Sequence, residues 1–244
     1  MLPYINIGKI SLPTYYTAMV LGFVMMIVVM LVKSRREKYR LTKTQSVLFA
    51  TIVLILGILG CKILYTLEKL PEVLENGLTF GGFSFYGSVF LIPAVIPFAG
   101  KLFGLKPTES LDNAAMCILA MLATIRFGCY LNGCCGGITV GSFTIPAQLI
   151  EVIFDVVIIY LLLTWEKKGE ARGFLYPRML LLYGAVRFFI EFIRDTEKDW
   201  LFLSHAHWFS LAGITVGIIF ERIYRKQLAE AKKQSAKKNK KKKK

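Results

Sequence analysis

Long apolar runs separated by short polar breaks dominate the chain. Runs near residues 15–32, 46–66, 87–100, 113–126, 147–165, 178–194 and 206–222 each predict a helix. Residues 10–32, 76–100 and 200–220 contain no Asp, Glu, Lys or Arg, and a helical crossing of a bilayer needs about 20 apolar residues. The pattern predicts an all-α polytopic membrane protein with seven transmembrane helices. Pro93 and Pro97 fall inside the third helix, where a membrane helix tolerates a kink. The fourth apolar run is short, and no internal repeat is visible.

Composition agrees. Of 244 residues, 55% are hydrophobic and 19% charged, against about a quarter charged in soluble domains. Disorder, a collagen-like fibre and a disulfide-stapled secreted module are excluded. The net charge of +15 resembles a nucleic-acid signal until it is located, because 12 of the 31 Lys and Arg lie from Arg222 onward. Residues 1–222 therefore read as the membrane domain. Residues 223–244 read as a basic cytoplasmic tail without fixed structure, close to anionic lipid headgroups, and no nucleic-acid partner is expected. The first residues lack the basic start of a cleavable signal, so the first helix is expected to stay in the mature protein.

Orientation follows from the placement of Lys and Arg in short loops. Lys33, Arg35, Arg36, Lys38, Arg40 and Lys43 lie between the first two helices, and Lys101 and Lys106 follow the third. Lys167, Lys168, Arg172 and Arg178 precede the sixth, and the tail is basic. These segments belong on the cytoplasmic side. The alternate segments carry only Lys69 and Lys198. Seven crossings then put the N-terminus outside and the C-terminus in the cytoplasm.

With that direction set, the polar residues inside the spans converge on the outer half. An ionisable group there costs about 2.5–3.5 kcal/mol, so each needs a partner, a water-filled cavity or a task. Lys62, Arg126, Gln148, Glu151, Arg187, Glu191 and Arg194 all fall near outer helix ends, as do Tyr15, Tyr16, Ser84, Tyr86, His205 and His207; Asp155 lies deeper. Arg187, Glu191 and Arg194 share one helical face, and so do Gln148, Glu151 and Asp155. Four basic groups against Glu151 and Glu191 leave two positive charges over. Such a site suits an anion, and Arg offers phosphate a bidentate fork. The anion that a membrane supplies is a lipid phosphate.

Residues 126–137, Arg-Phe-Gly-Cys-Tyr-Leu-Asn-Gly-Cys-Cys-Gly-Gly, make a glycine-rich loop whose backbone N–H groups can approach a ligand closely. Its alternative is a plain connecting loop. Cys61 and Cys117 read as small core residues. The spacing of Cys129, Cys134 and Cys135 does not match paired zinc ligands, so no metal is expected, although a disulfide stays open. His205 and His207 read as packing and hydrogen bonding at a helix mouth, and Trp200, Phe202 and Trp208 as an interfacial belt.

Four ordered motifs resemble the bacterial prolipoprotein diacylglyceryl transferase family over about residues 5–220. They are Gly81-Gly-Phe-Ser-Phe-Tyr-Gly87, Arg126-Phe-Gly-Cys-Tyr-Leu-Asn-Gly-Cys134, Ile145-Pro-Ala-Gln-Leu-Ile-Glu151 and Tyr183-Gly-Ala-Val-Arg-Phe-Phe-Ile-Glu-Phe-Ile-Arg194. The resemblance implies a seven-helix enzyme without a cofactor at the outer face of the bacterial plasma membrane. Its implied partners are phosphatidylglycerol and the lipobox Cys of a preprolipoprotein signal peptide, with glycerol phosphate released. It further implies that Arg126 and Arg187 bind the lipid phosphate, supported by Glu191 and Arg194. Tyr16, Lys62, Asn132, Gly133, Gln148 and Glu151 would line the site.

The departures are specific. Tyr86 stands where the family has its catalytic His, Cys129 replaces the first loop Asn, Cys134 replaces the loop Glu, and Lys62 replaces an Arg. A tyrosine of ordinary pKa is a poor base at neutral pH, so Tyr86 would orient substrate or act beside Arg126. Two other readings stand beside this one. One is a divergent paralogue that binds anionic phospholipid with another acceptor, or none. The other is a transporter, which needs polar residues through both leaflets; the inner helix halves are apolar, with Asp155 as the candidate exception.

Overall fold

The computed structural model describes residues 2–8, 10–35, 41–77, 84, 86–168, 173–196 and 202–242. A small hairpin of β1 (Tyr4–Ile7) and β2 (Ile10–Pro13) leads into α1 (Thr14–Ser34). Then follow α2 (Lys43–Glu68), α3 (Leu70–Asn76), α4 (Tyr86–Ala99), a 3-10 turn (Gly100–Phe103) and α5 (Pro107–Asn132). A second hairpin, β3 (Thr139–Val140) with β4 (Phe143–Thr144), precedes α6 (Ala147–Lys168), α7 (Leu175–Ile193) and α8 (His205–Lys242). The molecule is mostly helical, and a helix covers each of the seven apolar runs.

Among the described residues four helices, α1, α2, α5 and α6, are long and apolar enough to cross a membrane. Much of their outer surface is aliphatic, with Val20, Ile55, Leu59 and Val156 all exposed. A protein in water seldom leaves that much apolar surface uncovered, whereas acyl chains cover it without cost. The central element is α5, which buries 56% of its apolar stretch against 22% for α1 and α2. Helices α1, α4, α6 and α7 pack on it, and α8 packs on α7. Met116, Leu119 and Leu122 of α5 share one buried core cluster with Met26, Met30, Val53, Ile96 and Leu162.

The sequence pattern shortens α5 at both ends because polar residues there look like boundaries. Asp112 instead accepts hydrogen bonds from the backbone N–H groups of Gly173 (2.6 Å) and Tyr176 (3.1 Å), tying down the start of α7. Asn113 accepts one from Lys33 Nζ at 2.8 Å, and Lys33 also pairs with Glu166 at 2.8 Å. Lys33, read as a loop residue, thus belongs to the last turn of α1 and is fully buried. The start of α1 meets the end of α5, where Ala18 lies against Gly128. The two helices are therefore antiparallel, and the Lys33 cluster sits at the opposite end of α5 from Arg126.

The apolar part of α8 continues without a break into the basic segment, which is helical to Lys242. Ala, Lys, Gln and Glu recur along that segment, and all are strong helix formers.

Candidate functional site

Where α5, α6 and α7 converge, charges alternate in a row. Arg126 Nε lies 3.0 Å from Glu151 Oε2, and Arg187 Nη1 lies 3.2 Å from that same oxygen. The other arm of Arg187, Nη2, is 2.9 Å from Glu191 Oε2, which Arg194 Nη1 approaches to 3.3 Å. The remaining carboxylate oxygens accept from hydroxyls: Tyr183 donates to Glu151 at 3.1 Å, and Thr196 and Ser204 each donate to Glu191 at 2.9 Å. Glu151, Arg187 and Glu191 are all buried. Buried charges are tolerable only when paired and hydrogen-bonded, and each carboxylate oxygen here has a partner. Helical spacing supplies half of the arrangement, because Arg187 and Glu191 are one turn apart; α6 supplies the other half. Three Arg against two Glu leave one formal positive charge.

Arg126 stands at one end of an apolar cavity of about 240 Å³ walled by residues such as Met19, Val53, Ile92 and Met121, together with Tyr15. Arg126 is ion-paired with Glu151 through Nε, and its side chain also lines this cavity. A second chamber of about 540 Å³ is lined by Gly133, Gly136, Thr144, Gln148 and Asp195. Cys135 lines both chambers.

The loop between α5 and α6 owes its shape to glycine. Gly133 takes φ +77° just beyond the helix end. Its N–H bonds to the Tyr130 carbonyl at 3.2 Å, and the next N–H, of Cys134, bonds to the Cys129 carbonyl at 3.1 Å. This paired closure is a Schellman turn, which folds the residue after the glycine back over the helix's last turn. Cys134 thereby returns to Cys129. Cys135 is then a non-glycine residue at φ +60°, an uncommon conformation. The three Sγ atoms all lie within 4.8 Å of one another. Hydrogen bonding from Cys129 holds the Cys135 thiol below the usual range, with Arg194 and Arg126 adding to that against the effect of burial.

Farther along, the loop is stitched to the end of α7. Gly137 N–H bonds to the Ile145 carbonyl and Ile138 N–H to the Ile193 carbonyl, both at 2.9 Å. A Cβ on Gly137 would stand 2.6 Å from each of those carbonyl oxygens, so this close approach requires glycine. Gln148 Nε2 donates to the Cys134 carbonyl at 2.6 Å, fixing the loop from the α6 side.

The structure thus brings Arg126, Glu151, Arg187, Glu191 and Arg194 into one network; Gly133 and Gln148 line the second chamber, and Asn132 ends α5 without lining either chamber. Lys62 stands over the Tyr65 ring, 5.3 Å from its centroid. Tyr16 is 65% exposed with its ring edge against Tyr15, and Tyr15 is the one lining the cavity. Tyr86 begins α4, but its side chain lies outside the described residues. His207 is buried; its Nδ1 accepts from the Ser204 N–H at 3.1 Å, and its ring packs on Phe188 and Phe192. Asp155 is fully buried, with neither carboxylate oxygen hydrogen-bonded among the described residues. Tyr183, Thr196 and Ser204 were missed from the sequence. Tyr183 lay one turn before Arg187 on the same face, which is a usable signal; Ser204 reaches Glu191 only through the chain's return into α8.

The sequence model of the family described as prolipoprotein diacylglyceryl transferase matches residues 3–222. Among similar proteins is the phosphatidylglycerol–prolipoprotein diacylglyceryl transferase of Clostridium tetani, 27% identical over 82% of this chain and 89% of that protein. The second such transferase of Clostridium perfringens is 29% identical over 71% of this chain and 77% of its own length. That of Streptococcus pneumoniae is 23% identical over 88% and 90%.

Proposed function

The chain belongs to the prolipoprotein diacylglyceryl transferase family, and we propose that it moves the diacylglyceryl group of phosphatidylglycerol onto the lipobox cysteine thiol of a preprolipoprotein. It is a membrane transferase of lipoprotein biosynthesis. The observation that carries the reading is the cavity with Arg126 in its lining: acyl chains suit its apolar wall, and the guanidinium of Arg126 suits the phosphate. In the reaction the acceptor sulfur forms a bond to the glycerol carbon while that carbon's bond to phosphate oxygen breaks. The leaving glycerol phosphate keeps the electron pair, so its charge grows as the bond stretches. A preorganised guanidinium at that oxygen stabilises the change.

In this reading Arg126 contacts the phosphate. Arg187, with both arms on carboxylates, holds Glu151 and Glu191 so that the whole row favours an anion beside it, and Arg194 closes its outer end. Gln148 and Gly133 border the chamber through which the signal peptide arrives, and Asn132 sits beside Gly133 at the end of α5. Lys62 and Tyr16 serve the rim, and Tyr86 orients substrate from the start of α4. Seven spans place this end of the bundle towards the outer face of the bacterial plasma membrane, with the N-terminus outside. The basic segment 223–244 lies in the cytoplasm against anionic headgroups.

The test is direct. Purified protein is incubated with labelled phosphatidylglycerol and a lipobox peptide, and thioether-linked product is measured for the wild type and Arg126→Ala. Product from the wild type and none from the variant is expected. Phospholipid binding without any thioether product would replace this reading with that of a lipid-binding paralogue.

A further inference from the structure

We propose that Cys129, Cys134 and Cys135 form a three-thiolate site for a zinc-class divalent cation, whose fourth position receives the acceptor thiol. The inference rests on the transfer reading above and supplies what that reading lacks, the group that makes the acceptor nucleophilic.

Geometry is the first support. Thiolates bound to one Zn²⁺ at about 2.3 Å stand roughly 4 Å from each other, and the three sulfurs already lie within 4.8 Å. Less than an ångström of movement closes the site. The backbone builds this cluster: the Schellman turn at Gly133 returns Cys134 to Cys129, and the positive φ belongs to Cys135. The C-x4-C-C spacing, unlike that of paired zinc ligands, follows from a helix end followed by a left-handed turn. Three separate packing thiols would have no reason to converge, and Cys135, being exposed, is not a packing residue.

Charge is the second support. Three thiolates with one divalent cation carry a single net negative charge. The adjacent row of Arg126, Glu151, Arg187, Glu191 and Arg194 carries a single net positive one. Before the acceptor thiolate binds, these two formal charges offset each other.

Position is the third. Cys135 lines both the apolar cavity and the polar chamber, so an ion there lies where lipid and peptide meet. Among the described residues the apolar cavity has no carboxylate or imidazole in its wall, and the Glu151 and Glu191 carboxylates are committed to arginines. A thiol that binds zinc gives up its proton. The acceptor proton passes to water; the sulfur lone pair forms the bond to the glycerol carbon; the phosphate oxygen leaves with its bonding pair. The displacement is redox-neutral: the acceptor sulfur exchanges its bond to the ion for the bond to carbon, and the ion stays on the three cysteines as the thioether leaves.

The experiment uses the full chain purified in detergent without chelator. Elemental analysis is expected to find one zinc per chain, lost in Cys135→Ser, the variant at the exposed position, and in Cys134→Ser. Replacing zinc with Co²⁺ is expected to give a thiolate-to-cobalt charge-transfer band that shifts on adding lipobox peptide, and not with a peptide whose lipobox Cys is Ser. Zinc well below one per chain, zinc retained in both variants, or a disulfide among these cysteines in the freshly isolated membrane protein overturns the site. Undiminished thioether formation by metal-free protein also overturns it while leaving the transfer reading intact. Zinc bound by these cysteines with the peptide-dependent shift, but no thioether product, sustains the site and sinks the transfer reading.

Discussion

Arg126 and Arg187, from different helices, share a single carboxylate oxygen: Glu151 Oε2 lies 3.0 Å from one and 3.2 Å from the other. Two guanidinium groups this close repel unless an anion stands between them. The pair is thus organised by α6, and a phosphate approaching Arg126 meets a charge already held in place.

Glu151→Gln leaves both arginines buried with a neutral neighbour. Removing one partner of a buried ion pair costs about 3–5 kcal/mol, so the variant should unfold in detergent at a clearly lower temperature. Tyr183→Phe removes one neutral donor to the same carboxylate and should cost on the order of 1 kcal/mol. Equal melting of Glu151→Gln and wild type would contradict the shared-oxygen arrangement.

Arg126→Lys keeps the charge and loses the fork. With Nε no longer available to Glu151, the lysine must choose between carboxylate and phosphate. Thioether formation should fall on the order of a hundredfold, in the range for losing one donor to a developing oxyanion, while the helix content measured by circular dichroism stays the same. Activity within twofold of wild type would remove Arg126 from the phosphate.

Gly137→Ala forces a Cβ to within 2.6 Å of the carbonyl oxygens of Ile145 and Ile193. The loop must lift from the end of α7, and Arg194 with it. Turnover is expected to drop with near-wild-type melting, because the displaced contacts lie at the rim of the bundle. Full turnover would show that the loop's seat on α7 is not needed.

At the far end of α5, Lys33→Met removes the cation that Glu166 and Asn113 share. The double variant Lys33→Met/Glu166→Gln should recover part of the lost stability, because it removes the carboxylate charge that Lys33 offsets. Strictly additive melting shifts would argue that the two residues do not interact.

Topology is open to a reporter test. A green fluorescent protein fused after Lys244 should fluoresce in cells, and alkaline phosphatase at the same place should be inactive, as a cytoplasmic C-terminus requires. The opposite pair of results would invert the whole orientation and place the Arg–Glu row at the cytoplasmic face.

The sequence by itself determined the helical membrane architecture, because a bilayer admits few backbone solutions and apolar runs of the right length state which one is used. It also determined that Arg187 and Glu191 are neighbours, since one helical turn decides that. It could not say that Glu151 stands between Arg126 and Arg187, or that Ser204 completes Glu191; those contacts join α5, α6, α7 and α8, and their register is decided by packing. The cysteines mark the boundary most clearly. Their spacing along the chain looks unlike a site, and only the left-handed turn at Gly133 and the fold-back at Cys135 bring the three sulfurs to one point. Linear periodicity reports which face a residue occupies; the meeting of faces from separate helices is written in tertiary packing alone.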